Sequence, residues 1–380
     1  MKVTIAIDSF KGSMSSLEAG AAAERAVKRL FPEALTAVYA LADGGEGTVD
    51  ALVEGLHGEI VTLEVRGPLE ERISGRYGWL PQTKTAVIEM ADAAGLPMVP
   101  REKRNPLHTT TYGLGELILD ALDRGARDFL IGIGGSATNE AGLGMLTALG
   151  AKFHDANGAE VGVTGADVAR VASIDAGGMD ARLKEVRFRI ACDVTNPLCG
   201  DNGASAVYGP QKGATPALVE ELDKALNDFA DIAEEALGKS GKNLAGAGAA
   251  GGLGFAFHTF LDGELTPGIE LVLDMLCIEE ALKDVDILIT GEGRMDHQSA
   301  MGKAPVGVAK RAKEISPKAL TLAFCGAALE GARAVNEHGI DAYFPILQQV
   351  MTLEEAMKRE VAEVNLEATV EQVLRVYKAK

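Results

Sequence analysis

The chain has 380 residues, of which 47% are hydrophobic; it can bury large cores but is long for one domain, so we expect two domains. Its 37 basic and 55 acidic residues give a net charge of −18, which argues against an extended surface for nucleic acid or membrane. We expect a cytoplasmic protein, because the sequence leads straight into a strand and no apolar run reaches the length of a membrane span.

The first part of the chain alternates short apolar strands with polar loops and helices. Residues 3–7 and 35–40 are the predicted strands, and this order is typical of α/β folds. Open parallel sheets bind ligands at the carboxyl ends of their strands. The candidate site residues in the two loops that follow are therefore Asp8, Lys11, Asp43 and Glu46. For the two aspartates, helix capping or turn formation is the alternative.

From residue 59 the pattern changes to alternating apolar and polar residues. Residues 60–65, 73–79 and 85–89 show this alternation and are joined by short turns, which favours antiparallel strands. The α/β pattern returns at about residue 274. We therefore predict a Rossmann/flavodoxin-like parallel-sheet domain built from both chain ends, residues 1–65 and 275–380, with a mixed α/β domain, residues 66–274, inserted.

A glycine-rich turn follows the predicted buried strand 129–133. We call residues 134–139 the cradle loop, because Gly134 and Gly135 allow close backbone approach to an anion while Ser136 and Asn139 add donors. The helix is expected to open directly after this turn and to run through Leu149. In the alternative interpretation the turn is ordinary, and Ser136 or Asn139 serves only as the N-cap.

A carboxylate closes the next sharply alternating strand, residues 186–192. Asp193 stands at its carboxyl end, and Pro197 fixes the turn that follows, which is a typical position for a catalytic group. The alternative is an Asx-turn. Lys212, in a later glycine loop, either reaches a phosphate or is one more exposed lysine.

Two further glycine-containing stretches need separate interpretation. Residues 246–251 match the dinucleotide fingerprint G-x-G-x-x-G, but no adequate strand precedes them, so a tight loop that permits close helix contact is the simpler account. The predicted strand 285–290 leads into the densest polar loop of the chain, residues 291–303. Its candidate binding residues are Arg294, Asp296, Gln298 and Lys303.

The combined inventory indicates phosphoryl transfer. Several glycine loops, loop carboxylates and a few cations, without clustered cysteine or histidine, suit a reaction that needs charge neutralisation and positioning more than a covalent nucleophile. The motif G-x-x-x-x-G-K-[ST] is absent from the sequence, which excludes a P-loop kinase.

Six ordered motifs carry a resemblance to a known family. They are residues 8–13, 42–48, 134–139, 191–198, 209–214 and 290–303. With these motifs the chain resembles the bacterial glycerate kinase family of the first type, the glycerate 2-kinases. The resemblance implies ATP-dependent phosphorylation of D-glycerate to 2-phosphoglycerate with Mg²⁺, a step of organic-acid and glyoxylate carbon use, on two α/β domains with one inserted in the other. D-glycerate and ATP are then the expected small-molecule partners, and a homo-oligomer is left open.

Within this reaction we expect a carboxylate to accept the proton of the glycerate hydroxyl. Asp193 is the predicted base and Asp8 the second candidate, while Lys11 is expected to bind the substrate carboxylate or the transferring phosphoryl group. Asp43 and Glu46 are the predicted Mg²⁺ ligands. The predicted substrate- and phosphate-binding residues are Gly134, Gly135, Ser136, Asn139, Lys212, Arg294, Asp296, Gln298 and Lys303.

Two other function classes are kept as alternatives. A nicotinamide-dependent hydroxy-acid oxidoreductase explains the glycine loops but requires G-x-G-x-x-G directly after a strand. A non-catalytic sensor of a phosphorylated metabolite predicts binding without turnover.

Overall fold

The computed structural model describes residues 1–379, and the chain divides into two compact units. Unit 1 comprises residues 1–43 and 50–57 and continues from Ile269 onward, and unit 2 comprises Gly44–Val49 and Gly58–Gly268. These boundaries differ from the predicted ones, because residues 44–49 and 58–65 fall in unit 2 and residues 269–274 fall in unit 1.

The strands found in residues 1–379 are numbered in chain order: β1 Lys2–Asp8, β2 Leu35–Leu41, β3 Glu59–Arg66, β4 Arg72–Leu80, β5 Thr85–Glu89, β6 Asp128–Gly132, β7 Lys152–His154, β8 Ser173–Asp175, β9 Arg187–Ala191, β10 Glu264–Thr266, β11 Ile287–Met295, β12 Leu320–Ala328 and β13 Ala342–Pro345.

The α-helices of the same residues are α1 Ser16–Leu30, α2 Thr48–Gly55, α3 Ala91–Ala94, α4 Tyr112–Asp123, α5 Leu143–Ala148, α6 Gly165–Val168, α7 Ala204–Tyr208, α8 Pro216–Leu237, α9 Leu253–Leu261, α10 Gly268–Leu276, α11 Glu279–Leu282, α12 His297–Ala300, α13 Ala304–Ile315, α14 Leu353–Ala356 and α15 Arg359–Lys378. Among them, none combines the length and the apolar character that crossing a membrane requires.

Unit 1 contains a five-stranded parallel sheet with the order β13-β12-β11-β1-β2. Counted within the unit, this is the flavodoxin-like order 2-1-3-4-5, and the direction of strand addition reverses between β1 and β11. The register pairs Ile7 with Gly291, so Asp8 and Glu292 follow at the same edge of the sheet. Doubly wound sheets bind ligands at this switch point, outside the carboxyl ends of the strands.

The outer helices of unit 1 fix the position of β1. Helix α1 begins with a capping box of Ser15 and Glu18 and packs its alanine-rich face, with Val27, into a core that includes Leu366 and Val370 of α15. Arg25 and Arg29 pair with Glu367 and other acids of α15, but these contacts are partly exposed and therefore stabilise the pair of helices only modestly.

Unit 2 contains a six-stranded mixed sheet with the order β10-β9-β6-β5-β4-β3. Strands β3, β4 and β5 are antiparallel neighbours, as the alternating pattern predicts, whereas β5, β6, β9 and β10 are parallel. The carboxyl ends of β5, β6 and β9 therefore meet at one edge, where Glu89 ends β5 and the cradle loop and Asp193 come shortly after β6 and β9. The predicted fold class, a parallel-sheet domain from both chain ends with a mixed α/β domain inserted, is confirmed.

Candidate active site

A cavity of about 370 Å³ lies in unit 2 at the carboxyl ends of β6 and β9. It is large enough for a small organic anion. The predicted residues that line it are Gly134, Gly135, Ser136, Asp193 and Lys212. Its other walls come from Gly44, Gly45, Leu96, Ile133, Ala191, Cys192, Val194, Tyr208, Gln211, Ala249 and Ala250. The structure thus brings together residues from four separate sequence motifs.

Lys212 is a buried cation on the wall of this cavity. Only 2% of the residue is exposed, so the alternative of an ordinary surface lysine is wrong. Its Nζ donates to Ser136 Oγ at 2.8 Å and to the carbonyl oxygen of Thr138 at 2.6 Å, both in the cradle loop. Burial lowers the pKa of Lys212 to about 7, and the negative charge of Glu140 acts in the opposite direction. Lys212 therefore stabilises the cradle loop and, in its ammonium form, places a positive charge at the cavity wall.

The cradle loop leads to its helix by a longer path than predicted. Helix α5 begins at Leu143, because Ala141 and Gly142 adopt left-handed conformations with φ of 50° and 72°. Ser136 and Asn139 therefore do not occupy its N-cap position, and the N-cap alternative is wrong. Glu140 performs the capping instead, since its carboxylate accepts from the N–H groups of Gly142 at 3.1 Å and Gly144 at 2.6 Å.

Asn139 lies beside the cavity lining rather than in it. The residue is fully buried, and its Nδ2 donates to Ser205 Oγ at 3.0 Å. Asn139 is not among the residues that line the cavity. Its hydrogen bond ties the cradle loop to α7, so a supporting contribution to the loop is the role that this placement favours.

Asp193 lies two residues beyond the end of β9 and is exposed at the cavity wall. Its Oδ1 accepts from the N–H of Gly268 at 2.9 Å, a contact 75 residues along the chain. This long-range bond orients the carboxylate, because both the strand end and the start of α10 are fixed. A carboxylate held in this way has a defined direction for accepting a second proton.

The glycines of residues 246–252 make close contacts rather than a nucleotide site. The helix α8, not a strand, precedes them. A Cβ on Gly251 would lie 2.1 Å from the carbonyl oxygen of Thr138, and one on Gly248 would lie 2.2 Å from that of Pro197. These contacts are with the segments that carry the cradle loop and Asp193, so the discounted dinucleotide fingerprint is indeed a packing loop.

In unit 1, three carboxylates influence one another at the switch point of the sheet. Burial raises the pKa of Asp8 to about 7, the charges of Asp43 and Glu292 raise it further, and Lys11 opposes the shift. Burial likewise raises the pKa of Glu292 to about 7, although Ser299 and Lys303 oppose it. One oxygen of Glu292, Oε1, is buried without a hydrogen-bond partner in residues 1–379. The nearby lysines therefore do not fully offset the negative charge of these three carboxylates.

The remaining predicted residues of unit 1 lie on β11 and in the segment that follows it. The strand extends to Met295, five residues beyond its predicted end, because it pairs with β12 as far as Ala328. Arg294 is thus an exposed strand residue whose Nε lies 3.3 Å from Asp296 Oδ2. Asp296 caps α12 by accepting from the N–H of Gln298 at 2.9 Å, which leaves it a structural role. Lys303 is the N-cap residue of α13.

The comparison with known families identifies the family of this chain. A model of the glycerate kinase family matches residues 3–378. The chain belongs to the glycerate kinase family. The resemblance drawn from the six motifs is therefore confirmed.

Named relatives and a solved structure agree with the family model. The chain is 49% identical to the glycerate kinase of Haemophilus influenzae over 376 residues, which covers 99% of this chain and 98% of the relative. It is 48% identical to the glycerate 2-kinase of Escherichia coli over 358 residues, covering 94% and 93%. A crystal structure from Salmonella typhimurium LT2, provisionally assigned as glycerate kinase 2, is 46% identical with a TM-score of 0.91 and covers 100% of this chain and 98% of its own.

The acid cluster of unit 1, Asp8, Asp43 and Glu292, was tested for its fit to a divalent metal ion. Among residues 1–379 there is no group of three or more potential ligands that would hold a metal on its own. Mg²⁺ in kinases typically uses one or two carboxylates, with phosphate and water oxygens completing the shell. Asp43 and Glu292 supply hard oxygen donors of this kind, whereas Glu46 is exposed and belongs to unit 2. The residues present therefore fit the ion.

Sequence reasoning missed three buried glutamates. Glu89, at the end of β5, accepts from the N–H groups of Gly47 at 3.1 Å and Val49 at 2.9 Å, and it thereby fixes the loop whose Gly44 and Gly45 line the cavity. Glu140 caps α5, and Glu292 lies at the switch point. Glu140 directly follows the cradle loop and Glu292 stands between two glycines, which is the signal that could have identified them, whereas Glu89 closes β5 without a glycine motif beside it.

Proposed function

We propose that this protein transfers the γ-phosphoryl group of ATP to the 2-hydroxyl of D-glycerate, giving 2-phosphoglycerate and ADP. The observation that carries the proposal is the cavity of unit 2, where the buried cation Lys212 and the carboxylate of Asp193 line the same space as the cradle loop. A hydroxy acid presents one anionic group and one hydroxyl. The cavity offers a cation for the first and a proton acceptor for the second.

In this assignment Lys212 and the cradle loop bind the glycerate carboxylate, and Asp193 accepts the hydroxyl proton as the O–P bond forms. The glycines of the loop keep the backbone accessible, since a Cβ on Gly134 would meet no atom within 4 Å. Phosphoryl transfer relies mainly on positioning and charge stabilisation. The fixed orientation of Asp193 by Gly268 supports its role as the positioned base.

We propose that unit 1 binds the triphosphate of ATP through Mg²⁺. Asp43 and Glu292 would hold the ion, directly or through water, and Lys11, Arg294 and Lys303 are cations that can bind phosphate oxygens. The bound ion would neutralise charge on the β- and γ-phosphates. The supporting observation is the excess of carboxylates with raised pKa at the switch point of the sheet.

Replacing Asp43 by asparagine tests the metal assignment. Asp43→Asn removes one charge but keeps an oxygen ligand, so we expect the Mg²⁺ concentration for half-maximal rate to rise about tenfold or more. Glu46→Gln, on an exposed residue in the same motif, is the matched control and should leave this value unchanged. An unaltered Mg²⁺ dependence in Asp43→Asn would remove Asp43 from the set of ligands.

The function itself is tested by measuring ADP release with D-glycerate and identifying the product by ³¹P NMR. The proposal predicts ADP formation that requires D-glycerate, with the phosphorus coupled to the proton on C2. A signal from 3-phosphoglycerate would reject the 2-hydroxyl as acceptor. Glycerate binding without ADP release would favour the metabolite sensor, and reduction of a nicotinamide nucleotide by glycerate would favour the oxidoreductase.

A further inference from the structure

Glu140 accepts hydrogen bonds that favour its ionised carboxylate and oppose burial, which raises the pKa of this group to about 7. The side chain is fully buried, and it accepts from Thr111 Oγ1 at 2.9 Å in addition to the two backbone N–H groups of α5 and its approach. Thr111 Oγ1 itself accepts from the N–H of Met145 at 2.9 Å, so its proton is directed to Glu140. Because every partner donates, a proton on Glu140 would have no acceptor.

Lys212 has a donor capacity that depends on its protonation. Two of its N–H bonds are used by Ser136 Oγ and the Thr138 carbonyl oxygen. The ammonium form has a third N–H, whereas the neutral amine has none left to offer. Since Lys212 lines the cavity, this third donor is the one available to a bound anion.

Of the ionisable groups around Lys212, Glu140 is the one whose charge favours the ammonium form of the lysine. Glu140 is the charged group that raises the pKa of Lys212 against the effect of burial. Asp193 lines the same cavity, and burial raises the pKa of the other two titratable groups there, Cys192 and Tyr208, so both are neutral at pH 7. The Arg104 guanidinium, near Gly213, donates to the carbonyl oxygen of Val99 instead.

We propose that Glu140 is a positioning residue whose negative charge keeps Lys212 in the ammonium form that binds the substrate carboxylate. The identity of that anion rests on the proposed function. The geometry gives Glu140 two tasks that can be separated: it caps α5, and it supplies the counter-charge for Lys212. The substitution Glu140→Gln keeps part of the capping of α5 and removes the counter-charge for Lys212.

The direct test measures the protonation of Lys212 by NMR without any turnover. The protein is labelled with ¹³Cε-lysine, the Lys212 signal is assigned by its loss in Lys212→Met, and the signal is titrated with pH. We expect Glu140→Gln to lower the titration midpoint by about one pH unit or more, because an attractive charge is removed. The same midpoint in both proteins would overturn the proposal, whether or not glycerate is the substrate.

Kinetics with D-glycerate gives the functional consequence and the matched control. In Glu140→Gln the glycerate KM should rise about tenfold at pH 8 and approach the wild-type value at pH 6, with the KM for ATP unchanged. Thr111→Val removes one hydrogen bond to Glu140 but keeps its ionisable carboxyl group, so it should lower Tm and move the pH dependence of KM less than Glu140→Gln does. If both variants only lower Tm, Glu140 is a structural cap and the proposal is wrong.

If Glu140→Gln does not fold as a single variant, a comparison of melting temperatures between two other variants still tests the proposal. Lys212→Met leaves Glu140 as a buried charge without its counter-charge, so the double variant Lys212→Met/Glu140→Gln should have the higher Tm. A lower Tm in the double variant would show that the two charges are not coupled.

Discussion

Asp193→Asn should lower kcat by about 10²- to 10⁴-fold while the glycerate KM and Tm change little. Asparagine cannot accept the hydroxyl proton, which is the step assigned to Asp193. It keeps the Oδ1 that accepts from the N–H of Gly268, so the local structure is preserved. Steady-state kinetics with saturating ATP and Mg²⁺, together with a thermal melt, provides the measurement.

Asp8→Asn is the comparison that decides between the two candidate bases. Asp8 is the last residue of β1, but it lies in unit 1 with Asp43 and Glu292, where we assign the binding of Mg²⁺ and phosphate. Its loss should therefore change the Mg²⁺ dependence as well as kcat. Near-normal kcat in Asp193→Asn together with a collapse of kcat in Asp8→Asn would transfer the role of base to Asp8.

Lys212→Met should raise the glycerate KM by about 10- to 100-fold, which corresponds to the loss of one hydrogen bond to a charged group. Methionine fills most of the space of the lysine stem, so the cavity wall is retained. The variant also leaves Ser136 Oγ and the Thr138 carbonyl oxygen without their donor, and some loss of Tm is expected.

Lys303→Met is the matched control for this loss of a cation. Lys303 lies at the start of α13 in unit 1, where we assign phosphate binding, so its replacement should raise the KM for ATP rather than that for glycerate. If the two lysine variants raise the same KM, the separate assignment of glycerate and ATP to them is wrong. An unchanged glycerate KM in Lys212→Met would remove the central support for the substrate site.

The sequence predicts secondary structure best where the local pattern of apolar and polar residues matches the burial of their side chains. Alternation in residues 60–65, 73–79 and 85–89 predicts the antiparallel strands β3, β4 and β5. One face of β3 is packed and the other is more exposed, whereas β5 is buried along its whole length. The return of the α/β pattern near residue 274 predicts a sheet built from both chain ends. Pairing partners are not encoded locally, however, so the parallel pairing of β5 with β6 required the structure.

Parts of the candidate site depend on tertiary contacts that no local pattern reveals. Lys212 lies in a short polar turn whose sequence predicts an exposed side chain. The side chain is instead buried against the cradle loop, 74 residues earlier in the chain. The extension of β11 through Glu292 arises from its pairing with β12, so a loop was predicted where a strand continues. The delayed start of α5 depends on the left-handed Ala141, a conformation that favours glycine and is uncommon for alanine.

The position of β1 in the middle of its sheet has a consequence during synthesis of the chain. Ile5 pairs on one side with Val38 but on the other with Ile289, which is translated 284 residues later. At usual rates of translation, this interval is on the order of tens of seconds. Unit 2 emerges from the ribosome in the meantime, so a nascent chain holds the apolar strand β1 beside β2 with one of its edges unpaired until β11 arrives.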